Sequence, residues 1–281
     1  MKIAGVQMDV TLGNVPGNLD KMEAKLRETR ATGAEFTVFP ECAVTGYCFE
    51  SIDAAKPHAQ TIPGVATERF TQLCQELGGA VVFGTVEQDG DNFYNAAVLV
   101  DESGVVGSYR KVHLPFLGVD MHVSYGDRDF DVHETLDMKV GMNICYDSAF
   151  PESSRCLSLL GADLIALPTN WPPGAECVAA NVINTRALEN GVYYIAVNRV
   201  GVEAGFEFIG RSRICAPSGQ TLASSEGTEE VILYADIDIE AARNKRVVRE
   251  PGRHAIDRMA DRHPEKYAKM IEPHDMSRPG R

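Results

Sequence analysis

Three polar side chains, far apart in the chain, each follow directly on a short apolar segment that predicts a β-strand. They are Glu41, Lys111 and Cys145. A cysteine thiolate is a strong nucleophile, a buried carboxylate can take its proton, and an ammonium group can stabilise an oxyanion. Each residue alone is weak evidence, because a lone cysteine after a strand usually packs in the core. Together they predict nucleophilic attack on an amide carbonyl carbon.

The segment that would present the nucleophile is a junction between a strand and a helix. Residues 139–144 predict a buried strand that stops at Cys145, while Pro151 and Glu152 suit the first turn of a helix. Backbone N–H groups without partners occur at such junctions. We therefore expect this junction to favour the thiolate form of Cys145.

Strand-length apolar runs and segments of helical periodicity occur along the whole chain and predict an α/β fold. Residues 33–40 resemble residues 161–168, and each copy is a turn followed by a strand that ends in proline. Two such halves fit a pair of stacked sheets with helices outside. Residues 113–129 predict a long loop, and loops of this length are usually functional or mobile.

Composition argues against several classes of function. The chain has 281 residues, of which 44% are hydrophobic, and this suits one large domain. The net charge of −13 argues against nucleic acid and anionic membranes as partners, and no apolar run approaches the roughly 20 residues of a membrane span. The seven cysteines are irregularly spaced, which favours reduced thiols in a cytoplasmic protein over disulfides or a zinc site.

The sequence resembles the nitrilase superfamily of carbon–nitrogen hydrolases at three places in the same order. These places are residues 39–41 (Phe-Pro-Glu), residues 109–114 (Tyr-Arg-Lys-Val-His-Leu) and residues 141–147 (Gly-Met-Asn-Ile-Cys-Tyr-Asp). The similarity extends from Ala4 to about Ile239, so it covers most of the chain.

This resemblance implies a four-layer αββα sandwich that pairs through its helices into an eight-layer αββα–αββα homodimer or a higher homo-oligomer. It also implies a catalytic triad of Glu41, Lys111 and Cys145, with no metal and no organic cofactor. We place the carbon–nitrogen hydrolase domain at residues 1–240. Residues 241–281 form a C-terminal extension, rich in Arg and Lys, which we expect to pack on its own or a neighbouring subunit; the alternative is that about the last ten residues are a solvated tail.

One departure from the family concerns a second acidic residue. The family usually has a glutamate in the loop after the lysine, six residues before a glycine, and Asp120 holds that position relative to Gly126. We expect Asp120 to fill the role by accepting a hydrogen bond from Lys111 or by orienting the substrate. The alternatives are that Asp120 is an ordinary loop carboxylate or that Glu134 replaces it.

A second departure concerns the substrate. Ala149 stands where family members that bind a substrate carboxylate have arginine, which predicts a neutral or cationic substrate unless Arg199 or Arg211 supplies the charge. Cys-Tyr-Asp resembles the amidase and carbamoylase branches. We therefore expect hydrolysis of a small non-peptide amide through a thioester, with release of ammonia and a carboxylic acid. The alternatives are an N-carbamoyl amine hydrolase and a non-catalytic binding or scaffold protein.

Five further residues are expected at the substrate site. The backbone N–H of Tyr146 would join Lys111 in holding the oxyanion. Asn170 and Trp171 follow the strand at residues 164–167 and would lie at the same rim as the triad, although Trp171 could instead pack at a domain edge. The remaining two, Tyr47 and Phe116, would line the entrance. His113 is expected to have a structural role.

Overall fold

The computed structural model describes residues 1–280, and most of its strands form two six-stranded sheets. The first sheet contains, in spatial order, β14 (Val231–Asp236), β1 (Lys2–Gln7), β2 (Phe36–Val38), β3 (Ala80–Asp89), β4 (Asn92–Asp101) and β5 (Gly104–Arg110). The second contains β13 (Thr221–Ser224), β12 (Arg213–Cys215), β9 (Tyr193–Asn198), β8 (Leu164–Thr169), β7 (Met138–Met142) and β6 (Val132–Thr135). Two separate hairpins pair β10 (Val202–Glu203) with β11 (Phe206–Glu207), and β15 (Arg246–Glu250) with β16 (His254–Asp257).

The helices are α1 (Val15–Ala31), α2 (Ile52–Ala55), α3 (Val65–Leu77), α4 (Pro151–Leu159), α5 (Ile183–Asn190) and α6 (Ile239–Arg243). A π-helical turn at Val178–Val182 leads directly into α5. Short 3-10 turns occupy Lys56–His58, Gly118–Met121, Cys145–Ala149, Pro264–Lys266 and Ala268–Ile271. None of the helices within residues 1–280 combines the length and apolar character needed to cross a membrane.

The two similar segments found in the sequence occupy equivalent places in the two sheets. β2 and β8 each lie inside their sheet and run parallel to both neighbours, which confirms the predicted repeat. β8 is buried along its whole length, as is typical of a parallel strand covered on both faces. An isolated bridge between Asp9 and Val200 joins the ends of β1 and β9, so both sheets direct these strand ends to one side.

The layers follow from where the apolar side chains pack. Phe36 and Val38 of the first sheet share a core with Leu164 and Ala166 of the second, so the sheets face each other. On the outer face of the first sheet, α1 and α3 bury the apolar side chains Leu19, Met22, Leu26, Phe70 and Leu73. On the second sheet, α4 and α5 bury Leu157, Ile183 and Ala187. The predicted α/β fold, with two mixed sheets flanked by helices, is confirmed.

Candidate active site

Cys145 lies at the sharp turn that follows β7. The residue has a φ of 46° and begins the 3-10 turn Cys145–Ala149, and α4 then starts at Pro151, as predicted. A positive φ is unfavourable for a residue with a Cβ atom, and such strained positions cluster at functional sites. The turn leaves only 9% of Cys145 exposed.

Asp147 holds this turn in place. Its Oδ2 accepts hydrogen bonds from the Ile144 backbone N–H (2.8 Å) and the Tyr109 hydroxyl (2.9 Å). Its Oδ1 accepts from the His113 backbone N–H at 3.2 Å and lies 2.7 Å from His113 Nδ1. The His113 ring also stacks on Phe150, with centroids 3.8 Å apart. His113 therefore contacts Asp147, the residue that holds the Cys145 turn, in agreement with the structural role expected for it.

Lys111 joins two carboxylates inside the protein. Its Nζ donates to Glu41 Oε1 and to Asp120 Oδ2, and both distances are 2.6 Å. All three residues are at most 1% exposed. Glu41 comes from the loop after β2, Lys111 directly follows β5, and Asp120 lies in the 3-10 turn Gly118–Met121. An ammonium has three N–H donors, so Lys111 keeps one beyond these two bonds.

Asn95 on β4 fixes the same two carboxylates from the other side. Its side-chain N–H groups donate to Glu41 Oε1 at 2.7 Å and to Asp120 Oδ1 at 2.8 Å. Glu41 Oε1 therefore accepts two hydrogen bonds, whereas Glu41 Oε2 is buried and has no hydrogen-bond partner among residues 1–280. A carboxylate held by one oxygen, with the other free, is suited to accept and return a proton.

Burial and charge determine the protonation of this group. Burial raises the pKa of the Glu41 carboxyl above its ordinary value, and attraction to Lys111 opposes this rise without cancelling it. Burial alone would lower the pKa of Lys111, but attraction to Asp120 and Glu41 outweighs burial and holds that pKa well above its ordinary value. Lys111 therefore stays a cation, while Glu41 binds protons more readily than an exposed glutamate.

The expectation that the strand–helix junction favours a thiolate is wrong for the resting protein. Burial raises the pKa of the Cys145 thiol to about 12, and repulsion by the Glu41 charge adds to the rise. Lys111, the Thr169 hydroxyl and the Asn170 backbone N–H all lower the pKa of Cys145, but by less. Because both Glu41 and Lys111 act on the thiol, the structure brings the three predicted residues together in one site.

Thr169 and Asn170, at the end of β8, add buried polar side-chain atoms beside Cys145. Both polar side-chain atoms of Asn170 make no hydrogen bond within the described part of the chain, and the Thr169 hydroxyl interacts only with the Cys145 thiol there. Thr169 is 0% exposed and Asn170 is 1% exposed. Buried polar groups are normally paired, so unpaired ones beside a nucleophile are suited to bind a polar ligand.

The other expected substrate-site residues lie at different depths. Tyr47 lies deeper than expected for a residue at the entrance, because it is 1% exposed and its hydroxyl donates to Asp120 Oδ2 at 2.9 Å. Phe116 and Tyr146 are 54% and 42% exposed. Trp171 is 3% exposed and packs in the same core as Cys145, while its backbone N–H donates to Asn198 Oδ1 at 2.8 Å.

The structure also places the residues considered as alternatives. Glu134 lies on β6 with its side chain 76% exposed and pairs with Lys139, so it does not approach Lys111. Arg199 is fully buried and its charge is matched by Glu203 and Asp9. Arg199 is therefore not placed as a free cation for a substrate carboxylate.

Sequence reasoning missed three residues of this site: Asn95, Thr169 and Asp147. Asn95 and Thr169 are polar residues within or at the end of otherwise apolar strands, and that contrast was the available signal. Asp147 belongs to the Cys-Tyr-Asp sequence and was noted only as part of that block. Within residues 1–280, no group of three or more His, Cys, Asp and Glu side chains is arranged to hold a metal ion.

Comparison with known proteins adds to this geometry. A protein of Pyrococcus abyssi (strain GE5 / Orsay) named nitrilase is 41% identical over 248 residues, which cover 88% of this chain and 93% of that protein. An N-carbamoylputrescine amidase of Solanum lycopersicum is 30% identical and covers 96% of this chain and 94% of its own length.

A solved structure is also similar to this chain. It shows a variant of the amidase from Nesterenkonia sp. AN1 after Michael addition of acrylamide at its active-site cysteine, with 25% identity and a TM-score of 0.75. The likeness covers 87% of this chain and 96% of that chain. The family model described as carbon-nitrogen hydrolase matches residues 2–247. The chain therefore belongs to the carbon–nitrogen hydrolase family, within the nitrilase superfamily.

Proposed function

We propose that the protein hydrolyses the C–N bond of a small non-peptide amide through a thioester on Cys145, releasing ammonia and a carboxylic acid. The observation that carries the proposal is the unequal hydrogen bonding of the two Glu41 carboxylate oxygens. One carboxylate oxygen is fixed by Lys111 and Asn95, and the other is buried and unpaired. A family whose members cleave C–N bonds, and a relative with an active-site cysteine, support the same reaction.

In the first step, Glu41 Oε2 accepts the proton of the Cys145 thiol while the sulfur attacks the amide carbon. Because the pKa of Cys145 is raised to about 12, the thiol does not ionise in advance, and proton transfer accompanies the attack. The carbonyl oxygen becomes an oxyanion. The third N–H of Lys111 and the backbone N–H of Tyr146, near the start of the 3-10 turn, stabilise it.

In the second step, the tetrahedral intermediate collapses and the C–N bond breaks. Protonated Glu41 gives its proton to the leaving nitrogen, so ammonia departs as a neutral molecule and an acyl group stays on Cys145. Glu41 is again a carboxylate and accepts a proton from a water molecule, which attacks the thioester carbon. Cleavage of the C–S bond releases the carboxylic acid and returns the proton to the sulfur.

The charges around the site favour a neutral or cationic substrate. Ala149 supplies no cation, and the nearby Arg186 donates to the backbone oxygens of Ser148 and Ala149 and pairs with Glu189. We therefore expect neutral and amine-bearing amides to release ammonia faster than ω-amides of dicarboxylic acids of the same length. Faster release from the dicarboxylic substrates would contradict this charge argument and leave the reaction type intact.

The experiment that tests the reaction is trapping of the acyl intermediate. Substrate is mixed with the enzyme, the reaction is stopped with acid, and the peptides are analysed by mass spectrometry. We expect the acyl mass on the peptide that holds Cys145. Cys145→Ser should lose more than about 10³-fold in rate. Cys156→Ser is the matched control, because Cys156 is an exposed cysteine on α4. An adduct on another cysteine, or near-full turnover by Cys145→Ser, would refute the mechanism.

A second candidate is hydrolysis of an N-carbamoyl amine, because one relative is named N-carbamoylputrescine amidase. The same steps would then release carbon dioxide as well as ammonia. Measuring both products from one N-carbamoyl amine separates the two reactions. A non-catalytic scaffold would release neither.

We further propose that two chains form an eight-layer αββα–αββα homodimer in the cytoplasm. Exposed apolar residues on the outer helices and the last hairpin support this: Leu159, Leu160, Leu188 and Val248. The seven cysteines are unpaired, which suits a reducing compartment. Sedimentation analysis tests the assembly, since a chain that stays monomeric at micromolar concentration would contradict it.

Residues 1–240 and 241–281 are proposed as the catalytic domain and its extension. The extension returns to its own chain, where Met259 accepts a hydrogen bond from Arg155 and the Arg278 guanidinium lies 4.6 Å from the Tyr125 ring centroid. Removal of residues 241–281 should nevertheless leave the triad in place, because the hydrogen bonds of Glu41, Lys111 and Asp120 come from earlier parts of the chain. A truncated chain that still forms the Cys145 adduct would support this division, and one that does not fold would contradict it.

A further inference from the structure

A buried ion pair lies outside the reacting groups but contacts the loop that supports them. Arg199 Nη1 and Glu203 Oε1 are 2.5 Å apart, and the two residues are 0% and 4% exposed. The steps proposed above use neither residue. Burying two charges has a large desolvation cost, so the contacts that accompany the pair indicate what it does.

The second oxygen of Glu203 binds the backbone of the Tyr47 loop. Glu203 Oε2 accepts hydrogen bonds from the backbone N–H groups of Tyr47 (2.8 Å) and Cys48 (2.6 Å). The preceding residue, Gly46, has a φ of +81°, and a Cβ atom there would lie 2.7 Å from the Leu12 Cα atom and 3.0 Å from Glu203 Oε1. The chain therefore passes directly over the carboxylate, which fixes the direction in which Tyr47 leaves the turn.

Tyr47 connects this carboxylate to the catalytic group. Its backbone oxygen accepts the Val119 N–H at 2.8 Å, and its hydroxyl shares its single proton between Asp120 Oδ2 and the Leu117 backbone oxygen, each 2.9 Å away. The same oxygen of Asp120 accepts the Lys111 ammonium at 2.6 Å. Asp120 therefore helps to position Lys111, and Tyr47, together with Asn95, positions Asp120.

Arg199 anchors the pair to both sheets. Its Nη2 donates to the Val10 backbone oxygen at 2.6 Å and pairs with Asp9 Oδ1 at 3.0 Å, just beyond the end of β1. Its guanidinium carbon lies 4.4 Å from the Phe208 ring centroid. Arg199 itself directly follows β9 of the second sheet. Glu203 is thus held against a rigid frame rather than a mobile loop.

We propose that Glu203 is a positioning residue for the amide hydrolysis proposed above, because it fixes Tyr47 and thereby keeps Asp120 and Lys111 in register with Cys145. The inference depends on that proposed function. Glu203 does not touch the substrate in this scheme. Its loss should therefore lower the rate of the chemical step much more than it weakens substrate binding.

The test compares Glu203→Gln, Tyr47→Phe and the double variant with the wild-type chain. For each protein, kcat and KM are measured on one neutral amide, and the unfolding midpoint is measured in urea. Displacements of about 1 Å in a catalytic group cost about 10²-fold in rate, so we expect Glu203→Gln to lower kcat by about 10- to 100-fold with KM nearly unchanged. Because both changes act through one path, the double variant should lose little more than Glu203→Gln alone.

Asp163→Asn is the matched control. Asp163 is 3% exposed and accepts a backbone N–H, from Lys139 (2.9 Å), and an arginine, Arg243 (3.3 Å), as Glu203 does. It directly precedes β8, about 20 Å along the strand from Thr169. Asp163→Asn should lower the unfolding midpoint and leave kcat of the folded protein unchanged.

The outcomes for the Glu203 variants and for the wild-type chain distinguish failure of the inference from failure of the proposed function. Unchanged kcat in folded Glu203→Gln, or additive losses in the double variant, would overturn the inference and leave amide hydrolysis intact. If Glu203→Gln does not fold, Glu203→Asp replaces it, because it keeps the charge beside Arg199 and is one methylene too short for the Tyr47 turn. Unchanged kcat in Glu203→Asp would then overturn the inference. A wild-type chain that is inactive on every amide would overturn the proposed function, and the inference with it.

Discussion

Replacement of Glu41 by glutamine tests the central step of the reaction. In Glu41→Gln, the side-chain oxygen can still accept hydrogen bonds from Lys111 and Asn95, as Glu41 Oε1 does at 2.6 and 2.7 Å. The amide nitrogen takes the place of the unpaired Oε2 and cannot accept a proton. The variant therefore removes the proposed base with little change of shape.

The loss of rate in Glu41→Gln should be large because the Cys145 thiol has a raised pKa and needs a base. Because burial raises the pKa of Cys145 to about 12, very little of the thiol is ionised at pH 7.5 without a base. A positioned general base typically contributes about 10²–10⁴-fold, so we expect kcat/KM of Glu41→Gln to fall by that factor at pH 7.5. Loss of the Glu41 charge also lowers the pKa of Cys145, so more thiolate forms in the variant and the loss of rate is partly offset.

The pH dependence separates the base from a structural role. In the variant, hydroxide must ionise the thiol, so the rate should rise about tenfold per pH unit from pH 7 towards the thiol pKa. In the wild-type chain, the rate should fall as pH decreases through the raised pKa of Glu41, above the ordinary value of 4.5. Ammonia release, measured from pH 5 to pH 10, gives both profiles. A variant within tenfold of the wild type at pH 7.5, or one without the slope, would refute Glu41 as the base.

Two further predictions concern stability. Because burial raises the pKa of Glu41, the folded chain binds this proton more tightly than the unfolded chain, and the resulting stability is present below pH 4.5 and is lost as pH rises through the raised pKa. The melting temperature of Glu41→Gln minus that of the wild type should therefore increase between pH 4.5 and pH 8, and a constant difference would contradict the raised pKa. Gly84→Ala should cost about 1–3 kcal/mol and reduce kcat, because its Cβ would lie 2.4 Å from Cys42 N and 2.6 Å from Glu41 Cα. Gly5→Ala meets only side-chain atoms, the nearest at 2.9 Å on Val197, and should leave kcat unchanged; urea titration and steady-state assays distinguish the two.

The strands that precede Glu41, Lys111 and Cys145 could be predicted because each is a short apolar run followed within three residues by one of these side chains. Phe36–Val38 and Met138–Met142 are mainly buried and mainly apolar strands, and Glu41 and Cys145 follow them within three residues. β2 and β7 belong to different sheets, and the bridge between Asp9 and Val200 shows that strands of both sheets end on the same side, where residues far apart in the chain can share one site. The loop at 113–129 was predicted only as a loop, because its one regular feature is the short turn at Gly118–Met121.

By itself, the sequence predicted the α/β class, the family and the three residues proposed to react, because strand-length apolar runs and the polar residues that follow them are local properties of the chain. Only the tertiary structure decided that the Tyr47 hydroxyl contacts Asp120 and that Glu203, 156 positions away, binds the Tyr47 backbone N–H. It also decided that burial keeps Cys145 in the thiol form. These properties depend on burial and on contacts between distant segments. Local patterns of residues do not contain that information.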